Sequence, residues 1–258
     1  MGIRLYKTIL LLSLLSVAIA SIQLSNRRTV LLSQKTDNSY EKSKLLIAKT
    51  MPSLGFGNVL SNAYFLKFLK YFGDDEQRKT DGYSLSADIL SISLNYDPYY
   101  RSLYFFLSES TTVYAGTPEK TVSIIEKELS QIGEDRPSDS FYIWRYKGMD
   151  ELLFLNRGAD AETSFRRAAE WAENSDHPDS EILARLSSKT AEFLASNPDS
   201  KLARFSSWVS VLASTSDKNI KERAVQEIEK LGGKVSMDEE GRTQVQPPVE
   251  DFKVKEGY

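Results

Sequence analysis

The chain has 258 residues, 41% of them hydrophobic and 27% charged, which is enough apolar material for a sizeable core. Its 33 basic and 36 acidic side chains leave a net charge of −3, and the basic pairs Arg27-Arg28 and Arg166-Arg167 are too short to make the stripe that nucleic-acid binding requires. The absence of cysteine excludes disulfides, thiol nucleophiles, iron–sulfur clusters and cysteine-ligated zinc, and the single histidine, His177, reads as a loop residue ahead of Pro178.

In chain order, Thr8 to Asn26 carry no charge and follow Arg4 and Lys7. That is the layout of an export signal, with Ala18-Ile19-Ala20 before Ser21 as its cleavage site. It is also the layout of an uncleaved anchor, because the apolar run Thr8 to Leu24 is 17 residues, near the minimum that spans a bilayer. Both readings place the bulk of the chain on the non-cytoplasmic side of a membrane, periplasm or thylakoid lumen, and the length of the run favours the anchor. Residues 1–25 are thus a signal or anchor and 26–56 a linker and entry segment, polar over 26–45, with helical periodicity beginning near Tyr40 and interrupted by Pro52 and Gly55-Phe56-Gly57.

From Asn58 the spacing predicts one helix after another. Apolar residues at helical intervals span 58–72 and 84–95. Asp97-Pro98 opens a helix ending at Gly116, and Thr117-Pro118-Glu119 opens the next, to Ile132. Further helices are expected over 138–156, 159–174, 180–196 and 200–214, and then from an Asp217 cap to Leu231 before Gly232-Gly233. No run alternates convincingly enough to be a strand; Thr111 to Tyr114 are β-branched or aromatic but fall inside a helical frame. Residues 233–258 are polar, carry Pro247-Pro248, and read as a disordered or surface-draped tail.

Two stretches about 40 residues apart share a pattern. Trp144 and Gly148 are followed by Ala161, Phe165 and Ala168; Tyr104 and Ser108 are followed by Thr121, Ile125 and Glu128. This resembles the tetratricopeptide repeat, which pairs a bulky-then-small helix with a helix carrying a small–aromatic–small triplet. Glu151 departs from it, standing where a tyrosine is usual, and so does the 40-residue interval. The resemblance covers residues 57–232 and implies an all-α, right-handed solenoid of antiparallel helix pairs, preceded by the N-terminal hydrophobic helix. The signal-like start, with Pro52 to Gly57 and Tyr71 to Asp74, is similar to membrane-anchored tetratricopeptide-like proteins of cyanobacteria and chloroplasts.

That resemblance implies a protein-binding scaffold or assembly factor for a membrane complex, of photosynthetic type, with no cofactor and no metal. A permanent structural subunit is the alternative. In such a fold one helix of each pair lines a groove, which here nominates Tyr142, Arg145 and Met149, with Leu152, on one repeat and Phe105 and Glu109, with Ser102 and Thr112, on another. The apolar ones have a competing reading as core. Tyr96, Tyr99, Tyr100 and Tyr104 crowd one junction and read as packed rings with hydroxyls at the rim. No hydrolase or phosphate-binding motif is present, so no residue is nominated as catalytic. A hydrolase using a carboxylate pair is the third reading; the acidic runs Asp74-Asp75-Glu76, Asp150-Glu151 and Asp238-Glu239-Glu240 are expected to be solvated.

Overall fold

The structure, a computed structural model, describes residues 13–21, 38–76, 82–133, 136–196, 200–237 and 243–248. The chain divides into two compact units, Met1–Ile47 and Ala48–Tyr258. In the first, residues 13–21 form helix α1, with Leu14, Leu15, Val17 and Ile19 exposed, and α2 (Asn38–Thr50) begins. Most of the predicted signal or anchor lies outside the described residues. Among those described, no helix is long and apolar enough to cross a membrane.

The second unit is helical as expected: α3 (Gly57–Gly73), α4 (Ser86–Tyr96), α5 (Arg101–Leu107) running into a π-helical segment (Ser108–Tyr114), α6 (Pro118–Leu129), α7 (Phe141–Leu153), α8 (Gly158–Glu173), α9 (Ser180–Ser196), α10 (Lys201–Ser214) and α11 (Lys218–Lys230). The helices of the first part lie in two layers. α3, the α5–π helix, α7 and α9 run the same way in one: Phe65 meets Phe106, Phe72 meets Tyr114, Arg101 pairs with Asp139 just before α7, and Arg145 reaches Ser187. α4, α6 and α8 return antiparallel behind them. α4 is buried almost all round, so its serines are as inaccessible as its Ile89, Leu90, Ile92 and Leu94.

Small residues set how closely the layers approach. Ser61 and Ser93 hydroxyls meet at 3.1 Å between α3 and α4, where a larger side chain has no room. A Cβ on Gly148 would lie 3.1 Å from the Phe165 ring, so this glycine lets α7 and α8 close on that ring. Ala161 and Ala168 are buried beside it, and Phe165 reaches on to Ala191 and Leu194 of α9. The tyrosine junction packs as expected only in part, since Tyr99 is exposed. Tyr104 is buried with its hydroxyl donating to the Pro98 carbonyl at 2.7 Å, and the Tyr96 hydroxyl lies 3.0 Å from the Ala48 and Met51 carbonyls.

The final hairpin departs from chain order. α10 packs on α7, where Trp208 meets Phe154 edge-on at 5.3 Å. Asp217 caps α11 as predicted, accepting from the Asn219 and Ile220 amides. Its other carboxylate oxygen accepts from Tyr83, in the loop between α3 and α4, at 3.0 Å. Arg223 of α11 donates to the carbonyls of Thr112 (3.3 Å) and Val113 (2.9 Å) in the π-segment. A linear array whose repeats touch only their neighbours does not make these contacts.

The π-segment and the tail are the two local surprises. The β-branched run Thr111-Thr112-Val113 has weak α preference, and its turns widen: the Ala115 amide donates to Ser110 five residues back, and the Thr117 amide to Thr111 six back. The predicted tail instead forms an antiparallel hairpin, β1 (Lys234–Met237) with β2 (Thr243–Gln246), Val235 opposite Val245. Those valines pack on the cluster of Phe205, Trp208 and Ile228. Each strand offers a single inward apolar residue, too little alternation to read from sequence. Residues 249–258 lie outside the described residues.

The end of the π-segment gives a direct test. Gly116 has φ +71°, and a Cβ there would lie 2.5 Å from the Arg223 Nη1. Gly116→Ala should therefore cost roughly 1–3 kcal/mol through backbone strain and a displaced guanidinium. An unchanged urea midpoint for this variant would contradict that packing.

Candidate functional site

One cleft draws on three helices, and each contributes a stripe at helical spacing. The α5–π helix supplies Phe105, Ser108, Glu109 and Val113; α7 supplies Tyr146, Met149 and Leu153, with Phe154 just beyond its end. α10 closes the third side with Ser206, Ser207, Ser210 and Val211. The cavity measures about 460 Å³ and is walled mainly by apolar atoms. Phe105 and Met149 are 48% and 44% exposed, an unusual degree for large apolar groups that face one another across a cleft.

Of the eight nominated groove residues, Leu152, Ser102 and Thr112 lie outside the lining, and Phe105, Glu109 and Met149 come together here. Tyr142 and Arg145 do not. Both sit nearer the start of α7, on the side that α9 covers. Arg145 donates to the Ser187 hydroxyl at 2.6 Å and lies over the Phe165 ring, and its burial lowers the guanidinium pKa. Tyr142 donates to Asp179 at 3.3 Å, stacks on Phe141, and carries the Arg101 guanidinium over its face at 4.8 Å. Their role in this structure is to tie α7 to α5 and α9. Tyr146 and Leu153 could have been found by continuing the α7 stripe. The α10 wall had no sequence signal, because it arrives through a return contact more than 50 residues along the chain.

The charges around the cleft differ in how they are satisfied. Arg101 pairs with Asp139, and Arg223 is bound to backbone carbonyls. Glu109 is half-buried and its side chain has no hydrogen-bond or ion-pair partner among the described residues; burial raises its carboxyl pKa. Behind the wall, Ser108 donates to Asp150 Oδ1 at 2.8 Å, while Asp150 Oδ2 is buried with no partner.

The expectation that Asp150-Glu151 is a solvated acidic run is therefore corrected: both are buried on α7. Glu151 accepts from Lys147 Nζ at 2.5 Å and from the Ser164 hydroxyl at 2.6 Å, a buried network that joins α7 to α8. Neighbours on a helix do not face each other, and these two carboxylates point to different partners rather than converging on a shared space. His177 accepts the Asp179 amide at Nδ1 and packs edge-on against Phe141 and Tyr142. Among the described residues, no group of three or more His, Asp or Glu side chains is arranged to hold a metal ion.

Asp150 makes a pH prediction. Burial, first, and the Glu151 charge raise its pKa from 3.8 to about 7, against the lowering effect of the Ser108 and Thr112 hydroxyls. The folded protein thus holds a proton that the unfolded chain has already released. Stability from this group is complete below about pH 4 and is lost as pH rises through about 7. Urea midpoints of the wild type should fall from pH 5 to pH 8 by more than those of Asp150→Asn; parallel curves would show that Asp150 does not titrate this way.

Compared with protein-family models, curated proteins and solved structures, the chain matched none.

Proposed function

We propose that this chain is a tetratricopeptide-like helical-repeat protein that binds another protein through the cleft between α5–π, α7 and α10. The observation that carries this reading is the cleft itself: a concave, mainly apolar surface with half-exposed Phe105 and Met149 on facing helices. The two-layer packing of antiparallel helices over α3 to α9 supports the repeat reading, with α10–α11 acting as a closing hairpin in place of a further repeat. The N-terminal apolar run supports export and tethering. With the sequence resemblance, it gives the role of scaffold or assembly factor for a membrane complex of photosynthetic type.

A second reading, permanent subunit of a larger membrane assembly, has its own support. α3 turns Val59, Leu66 and Leu69 to solvent, continuing from Leu54 and Phe56, and α9 does the same with Ile182, Leu186 and Phe193. A carboxylate-based hydrolase has less, since Asp150 and Glu151 are closed into the helix packing.

Capture from detergent-solubilised membranes by the tagged full chain tests the cleft. Phe105→Ala/Met149→Ala should lose a specifically captured partner, because truncating central apolar anchors typically costs 2 kcal/mol or more. Leu186→Ala/Phe193→Ala, on the exposed face of α9 and outside the cleft lining, should retain it. The opposite pattern would move the binding surface to that face of α9.

A further inference from the structure

Resting on the cleft as a protein-binding surface, a closer reading of its charges identifies the partner's chemistry. The walls divide by character. Phe105, Val113, Met149, Leu153 and Val211 make an apolar seat large enough for one bulky side chain. On the same helical stripe as Phe105, four residues on, stands Glu109, the one carboxylate among the described residues that line the cavity. No described cation pairs with it: Arg101 is held by Asp139, Arg145 by Ser187, Lys147 by Glu151 and Glu126, and Arg223 by the π-segment carbonyls, while Arg204 of α10, whose Nε is buried without a partner, is not part of the lining. The α10 wall carries serines, and Ser210 donates to its own helix at Ser206. A carboxylate half-withdrawn from water beside an apolar seat favours a cation that arrives with an apolar group.

We propose that the cleft binds a partner segment in which a Lys or Arg adjoins a bulky apolar side chain, the apolar group seated against Phe105, Met149 and Leu153 and the cation meeting the Glu109 carboxylate. The acidic counterpart of such a segment would bring a second negative charge into the same half-buried space and is rejected. Glu109 is thus the residue that sets which partners the cleft accepts, and the apolar walls set how tightly.

The chain carries its own reporter, because Met149 is one of only four methionines, with Met1, Met51 and Met237. The full chain labelled at its methionine methyl groups is titrated with two peptides of a Gly/Ser host, one carrying Phe-Lys at its centre and the other Phe-Glu. The Phe-Lys peptide should shift the Met149 resonance, leave that of Met237 in place, and bind about tenfold tighter than the Phe-Glu peptide. Glu109→Gln, a near-isosteric change, should bring the two affinities to within about twofold, and Glu109→Lys should reverse their order. Equal binding of both peptides by the wild type overturns the basic preference and leaves the cleft as a binding surface. A Met149 resonance that moves only with protein concentration assigns the seat to a second copy of the chain, and overturns the proposal. If neither peptide moves it and Phe105→Ala/Met149→Ala still captures its partner, the cleft reading falls as well.

Discussion

Arg223 holds together the joint on which the cleft depends. The π-segment ends the α5 helix with its turns one residue too wide, which leaves the Thr112 and Val113 carbonyls open toward α11. A guanidinium is suited to two adjacent carbonyls, and its positive charge sits well at a helix C-terminus. Gly116 then turns the chain away with a positive φ and without a side chain, so the guanidinium has room. The same Arg223 stacks on Trp208, and Trp208 on Phe154, so one side chain links the π-segment, α10 and the end of α7. Those are the three walls of the cleft. In this account the cleft exists because a local defect in one helix is repaired by a residue more than 100 positions away.

The layered helices provide the rigid base on which that closure works. Gly148, Ser61, Ser93, Ala161 and Ala168 bring backbones close enough that the intervening rings fill the space. The Lys147–Glu151–Ser164 network sits within the same joint between α7 and α8. Removing one partner of such a network strands a buried charge, so Lys147, Glu151 and Ser164 act as a unit in that joint. Arg145 and Tyr142 do related work between α7, α5 and α9. With α7 fixed from both sides, Tyr146, Met149 and Leu153 are presented to the cleft on a face that does not rotate.

How much of this was legible follows from the range of the interactions. The helices announced themselves through periodicity, Pro118 and the Asp217 cap, all of them signals within a few residues. Gly148 and Phe165 were found as partners because a helix hairpin brings near neighbours together. Phe105, Glu109 and Met149, nominated by position on their own helices, line one cleft because those two helices run side by side. Tyr142 and Arg145 lie apart from that cleft because their positions on α7 face α9, where Asp179 just before it and Ser187 within it engage them. The buried Asp150 and Glu151 were misread because a charged pair in sequence carries no mark of what will close over it. The α10 wall, Arg223 and the β-hairpin were beyond reach, since each depends on a return contact that no local pattern encodes.

Hydrogen exchange on the Arg223→Ala chain tests the central claim most directly. If Arg223 joins the final hairpin to the π-segment, amides of 108–114 and of both α10 and α11 should lose protection together, while α8 and α9 keep theirs. Loss confined to α11 around residue 223, with 108–114 and α10 as protected as in the wild type, would mean that the cleft is held by something other than this guanidinium.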